Sequence, residues 1–166
     1  MPIIEQFCRA YWRGTVSMST NGIDIIIAEW SLYQKTLIKL RKTVFILEQG
    51  VPIDLEQDNL DHDLIHFLVR DGRHAIGCAR LHKNGKISRM AVLDHIRSEG
   101  IGTLLLNFIH DYATQNNFRE LHLNAQKHAL RFYEKAGYKT DGAVFFEAGI
   151  RHIPMRISVI AVGPGP

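Results

Sequence analysis

Arg97, Gly100 and Gly102 stand in the order R-x-x-G-x-G, after an apolar run ending near Leu93 and before an amphipathic run. Strand, glycine turn and helix together aim bare backbone N–H groups at an anion. Glycine removes the Cβ that would hold the anion off. Arg97 adds a fork of donors matched to phosphate oxygens. The string is not a Walker loop, because no Gly-Lys-Ser/Thr follows. It is not a dinucleotide fingerprint either, because Leu105 occupies the third glycine position. A plain β–α turn with two glycines is the other reading of the same residues.

A second constellation runs from Leu123 to Tyr138, L-N-A-Q-x-x-A-x-x-F-Y-x-x-x-G-Y. Asn124 closes a strand, and Phe132 and Tyr133 fall inside a helix, where aromatics are commonly core. Nine histidines raise the question of a metal. His62 and His66 are four apart but flank a strand, where that spacing spans ~13 Å. One ion cannot bridge that distance, so no metal site is expected.

The elements that must hold these residues follow from periodicity. Ile23–Ala28 is rich in β-branched residues and reads as a strand. Ser31 is placed to cap a helix with Leu37, Leu40, Val44 and Leu47 on its apolar face. Lys35, Lys39, Arg41 and Lys42 read as its solvated face. Gly50 and Pro52 end it. Residues 53–62, with Asp54, Glu56, Asp58 and Asp61, read as a loop or short helix. Strands at Leu64–Val69, His74–Leu81 and Ile87–Leu93 are joined by Asp71-Gly72 and Asn84-Gly85, the signature of an antiparallel meander. The cradle helix carries Leu104, Leu105, Phe108, Ile109 and Tyr112 on one stripe. A strand around Leu121 and Leu123 follows, then a helix over 127–136 stopped by Gly137. Strands Tyr138–Ala148 and His152–Ile160 come last. The expected fold is a mixed α/β (α+β) domain, a twisted, mostly antiparallel sheet of about seven strands flanked by about four helices.

The chain has 166 residues, enough for one domain with a sizeable core. That domain is expected over 21–160. Residues 1–20 read as an N-terminal extension, non-native or unstructured, because the strand pattern starts near Gly22 and Met18-Ser-Thr-Asn-Gly looks like a natural start. Residues 161–166 read as a frayed tail. The net charge of +3 is small and scattered, which argues against a dedicated nucleic-acid binder. The cysteines, Cys8 and Cys78, form no C-x-x-C and no disulfide framework, so a reducing, cytoplasmic setting is expected. No apolar run reaches ~18 residues, so no membrane span is expected.

Together the two constellations resemble the GNAT acyl-CoA N-acyltransferase superfamily. Its cradle has the form Q/R-x-x-G-x-G/A, and its later helix carries a tyrosine near the thioester. The resemblance narrows to the ElaA/YjcF-like branch on three stretches. These are R-K-T-V-F-I-L-E-Q-G-V-P-I-D-L-E-Q-D-N-L-D at 41–61, L-N-A-Q at 123–126, and E-A-G-I-R-H-I-P-M at 147–155. Arg151 stands where the branch often has proline.

The resemblance implies the following site. N–H groups of Met90, Ala91 and Val92 pair with the pantetheine arm, and one polarises the thioester carbonyl. Backbone N–H groups of Arg97, Ser98, Glu99, Gly100, Ile101, Gly102 and Thr103 hold the pyrophosphate. Asn124 contacts the pantetheine and Phe132 lines its channel. Tyr133 is the general acid for the departing thiolate. The general base is one of Glu48, Glu56, Asp61, His66, His122 and His152, with Glu48 and His152 favoured because they stand in the branch motifs. Arg89 is placed to pair with Glu48 or bind a substrate carboxylate. The implied reaction is direct transfer of acetyl from acetyl-CoA to a primary amine of a small molecule or peptide, through a ternary complex and without a metal. The alternative is a catalytically silent CoA-binding or sensing module. No nucleic-acid or membrane partner is expected, and the late strands offer a homodimer surface.

Overall fold

The computed structural model describes residues 17–159. The expectations for the first sixteen residues, Cys8 included, and for the tail lie outside that range. Strand β1 (Ser17–Thr20) pairs antiparallel with β2 (Ile23–Ile27), so the sheet begins before Gly22. Helix α1 (Trp30–Arg41) runs straight into a π-helical segment, Lys42–Glu48. Glu29 is the N-cap residue of α1, and the Ser31 hydroxyl donates to the Glu29 carboxylate instead of capping the helix. The acidic stretch holds a short helix, α2 (Ile53–Glu56), and one tight turn, Asp61–Asp63.

The meander forms as its turns predict. Strands β3 (Ile65–Asp71), β4 (His74–Leu81) and β5 (Ile87–Val92) extend the first pair into a five-stranded sheet in sequence order. Helix α3 (Ile101–Gln115), strand β6 (Glu120–Gln126) and helix α4 (Leu130–Lys135) follow. Strands β7 (Lys139–Thr140), β8 (Phe145–Glu147) and β9 (Ile150–Ser158) complete the chain. In the second sheet β9 is central, with β6 on one side and β7 and β8 along the other. The strand expected over Tyr138–Ala148 is thus two strands, interrupted at Asp141-Gly142.

Core packing lies on both faces of the first sheet. Leu105, Phe108 and Ile109 of α3 pack on Phe67, Val69 and Ala79. On the other face Leu37, Leu40 and Val44 meet Ile26, Leu68, Cys78 and Ala91. Burial pushes the Cys78 thiol up to about 12. Arg41 does not share the solvated face of its helix: it is only 1% exposed and turns inward.

The two sheets touch at a parallel bridge, Lys86 opposite His122. The His122 N–H donates to the Gly85 carbonyl at 3.0 Å, and a Cβ at Gly85 would run into the Glu120 carbonyl oxygen. Beyond that point β5 and β6 part. The cause is a bulge: Cys78 pairs with Ala91 and Arg80 with Ser88, so Ala79 faces both Arg89 and Met90. Arg89 sits at φ +51°. An extra residue bends and twists its strand, and here it turns the outer edge of β5 into an open cleft.

Candidate active site

A cavity of about 740 Å³ fills that cleft. Met90, Ala91 and Val92 form one wall. Arg97, Ser98, Gly100, Gly102 and Thr103 close one end, and Asn124, Phe132, Tyr133 and His152 face them from the second half of the chain. Twelve of the fifteen residues expected at the site thus share one cavity. Of the other three, Ile101 is buried in the core, Glu99 lines a separate cavity, and Glu48 is exposed beside the mouth.

The cradle is built as its glycines require. Gly100 is the N-cap residue of α3 at φ +86°, a conformation costly for any residue with a Cβ. No side chain caps the helix, so its first-turn N–H groups are left for water or a ligand. The Leu104 N–H donates to the Gly100 carbonyl at 2.9 Å. The Phe132 ring lies over Gly102, joining the cradle to α4. An uncapped helix start with no Cβ at Gly100 and Gly102, beside an unpaired strand edge, fits a pyrophosphate followed by an amide-bearing arm.

Arg97 differs from the expectation of a free fork. Its Nη1 and Nη2 donate to the Glu48 carboxylate at 2.5 and 2.7 Å, and its Nε donates to the Val92 carbonyl at 2.9 Å. Those bonds hold Glu48 below the usual carboxylate range. Arg89 likewise does not meet Glu48. It donates to the Leu55 carbonyl at 2.6 Å and the Glu56 carbonyl at 3.1 Å, and lies 3.4 Å from Asp58.

Tyr133 is 9% exposed, with its hydroxyl 3.5 Å from the Met90 sulfur. Burial pushes its phenol up to about 12, so the group carries its proton at neutral pH. Phe132 and Tyr138 hold the ring, with centroids 4.9 and 5.7 Å away. His152 stacks on Phe145. Its Nδ1 lies 2.8 Å from the Ile150 carbonyl. A carbonyl only accepts, so Nδ1 is the donor here, and in the neutral imidazole the lone pair lies on Nε2.

The acidic stretch forms an ion network under the cavity. Arg41 bonds Glu56, and it bonds Asp61 at 2.6 Å. Arg80 bonds Asp58 at 2.7 Å and Asp61 at 2.9 Å. Burial alone would raise Asp58 and Asp61, but the guanidinium bonds outweigh it and hold both down. His66 is buried against Trp30 with its Nε2 on the Asp61 carbonyl at 2.8 Å. Glu56, Asp61 and His66 therefore serve the network, and His122 sits at the sheet junction. Arg80, His82, Ser88, Gln49 and Gln126, which also line the cavity, were not singled out from the sequence. His82 Nε2 and Arg80 Nε both bond the Ser88 hydroxyl, at 2.9 and 3.1 Å. A charged residue next to the end of an apolar strand run, as Arg80 is in Ala75–Leu81, is the available signal.

Among the described residues no group of three or more His, Cys, Asp or Glu could hold a metal ion. No described helix is long and apolar enough to cross a membrane.

The chain thus combines a two-sheet α/β fold with an uncapped helix start beside a splayed strand. The acetyltransferase (GNAT) domain model matches residues 31–159, and the chain belongs to the GNAT family. Within it the chain falls in the ElaA/YjcF-like branch. It is 34% identical over 134 residues to the uncharacterized N-acetyltransferase YjcF of Bacillus subtilis, covering 78% of this chain and 96% of that one. The crystal structure of Escherichia coli ElaA, 27% identical, superposes with a TM-score of 0.71 over 81% of this chain and 98% of its own. An acyl-CoA N-acyltransferase from Pseudomonas aeruginosa, 28% identical, gives 0.67 over 78% and 91%. Acetyltransferases of this family draw the acetyl group from acetyl-CoA.

Proposed function

We propose that the protein transfers acetyl from acetyl-CoA to a primary amine by direct attack in a ternary complex. The observation that carries this is the convergence, in one cavity, of the cradle, the free edge of β5, the protonated Tyr133 hydroxyl and His152. Acetyl-CoA supplies an activated thioester. The first-turn N–H groups of α3 hold its pyrophosphate, and N–H groups of Met90, Ala91 and Val92 take the pantetheine and polarise the carbonyl. Asn124 and Phe132 line the arm.

His152 is the base we favour. Its Nδ1–H is fixed on a carbonyl, so Nε2 can take a proton from the amine directly or through one water. Glu48 is the weaker candidate, because its ion pair with Arg97 lowers its proton affinity. After the carbon–sulfur bond breaks, Tyr133 gives its proton to the thiolate. The buried Cys78 thiol fits a reducing, cytoplasmic setting.

The test is thiol release from acetyl-CoA over a panel of amines, with CoA binding followed separately by calorimetry. Turnover on at least one amine, lost in His152→Ala, supports the reading. Tight CoA binding without thiol release on any amine would instead identify a silent binding module.

A further inference from the structure

We infer that the acceptor is a small amine with an apolar body, of the arylalkylamine or alkylamine class, and not a polyamine or amino sugar. This rests on the acetyl-transfer reading above and names its second substrate. The first observation is where the surface hydrophobics lie. Leu47, Ile53, Leu55 and Leu60 are exposed on the 47–60 segment, as are Val144 just before β8 and Phe146 within it. The cavity lining takes Val51, Leu55 and Leu60 from the first segment, and Glu147, Ala148 and Ile150 from the chain after Phe146. Leu55 and Leu60 line the cavity itself while remaining 49% and 45% exposed. Apolar side chains gathered around a concave site mark a surface covered by an apolar ligand. Phe45, Val51 and Ile150 continue that lining inward.

The second observation is charge. A polycation needs free carboxylates, and the inward ones are engaged. Glu56 bonds Arg41, Asp58 bonds Arg80 and Arg89, and Asp61 bonds Arg41 and Arg80. Three guanidiniums face three carboxylates, so the network presents no net negative charge. The Glu56 oxygen without a partner, Oε2, is sealed from solvent. Arg89 and Lys86 line the same wall and would repel a second ammonium. Asp54 and Glu147 remain, but both are exposed at the rim, where water and salt weaken their pull.

The experiment measures kcat/KM for 2-phenylethylamine, hexylamine, spermidine, kanamycin and a peptide with N-terminal phenylalanine, alongside acetyl-CoA affinity. The first two should exceed spermidine and kanamycin by about tenfold or more. Leu60→Asp should raise KM for 2-phenylethylamine about tenfold and leave acetyl-CoA affinity unchanged. Since Leu60 is exposed, folding should survive the change. A higher kcat/KM for spermidine, kanamycin or the peptide overturns this acceptor class and leaves acetyl transfer standing. So does an unmoved KM in Leu60→Asp. Acetyl-CoA binding with no transfer to any amine overturns the acetyl-transfer reading itself.

Discussion

Glu48 and Arg97, 49 positions apart, share a two-pronged ion pair across the mouth of the cleft. Glu48 ends the π-helical segment, and Arg97 begins the anion cradle. The next residue, Gln49, accepts a hydrogen bond from the Gln126 side chain at 2.9 Å. Two consecutive residues therefore tie one loop to both arms of the cleft. On the proposed acetyl-CoA reading, the Glu48 carboxylate occupies donors of Arg97 that a phosphate would use, and a bound pyrophosphate would compete with it.

That competition predicts that Glu48→Gln binds CoA more tightly. The pair is partly exposed and so contributes little, and Kd should fall about two- to fivefold. Calorimetric titration at low and high salt measures it. An unchanged or weaker Kd would sink the competition, and a collapse of kcat at constant Kd would return Glu48 to the role of base.

For Tyr133→Phe, kcat should drop about a hundredfold while CoA affinity barely changes. The ring packing is kept, and the hydroxyl loses only its 3.5 Å contact with the Met90 sulfur. Unaltered turnover in single-turnover kinetics would remove Tyr133 from the chemistry.

Stability should decline in alkali. Burial raises Cys78 from 9.0 and Tyr133 from 10.0, each to about 12, and raises Tyr138 as well. Between those limits the folded chain holds protons that the unfolded chain has released. The contribution is complete below the unfolded values and is lost as pH rises towards about 12. Urea midpoints measured through this range should fall, and Cys78→Ala should flatten the slope. A flat profile in the parent protein would contradict the burial of these groups.

Acid should destabilise the fold as well. Burial, aided by Arg80, holds His82 at about 4 against 6.5, and burial lowers His66 and His110 too. The unfolded chain takes up these protons first as pH falls below 6.5, so stability present above that value is lost towards about 4. Replacing His82 with Gln should remove part of the loss, read again from urea midpoints. An identical acid slope in that variant would exclude His82 as a contributor.

Arg41→Met should destabilise the fold by about 3–5 kcal/mol, because it strands Glu56 and Asp61 without their buried partner. Arg41→Lys should recover only part of this, since an ammonium lacks the planar fork. Chemical denaturation reads both. A loss under about 1 kcal/mol would mean the network is solvated.

Much of the site was legible because its parts are local. The cradle needs only Gly100 and Gly102 at a strand–helix junction, and a β-α boundary can be read from hydrophobic period. Asn124, Phe132 and Tyr133 fall within ten positions of one another, at the end of β6 and on α4. The role of Arg41 was not legible. Its charge matched the lysines around it, and only the packing of the 53–62 segment against α1 gave it two buried carboxylates. Gln49 and Gln126 were missed for the same reason: each is an ordinary polar residue until the cleft sets them side by side.

By itself, the sequence determined the order of elements, the meander, the glycine turn that opens α3 and the helix bearing Tyr133, because each depends on neighbours within a few residues. The tertiary structure decided what those pieces do together. A bulge at Arg89 opens the edge of β5, and the bridge between Lys86 and His122 sets where the two sheets diverge. The pairing of Arg97 with Glu48 rather than with solvent was decided there too, since side-chain partners dozens of residues apart are chosen by packing and electrostatics that no local pattern records.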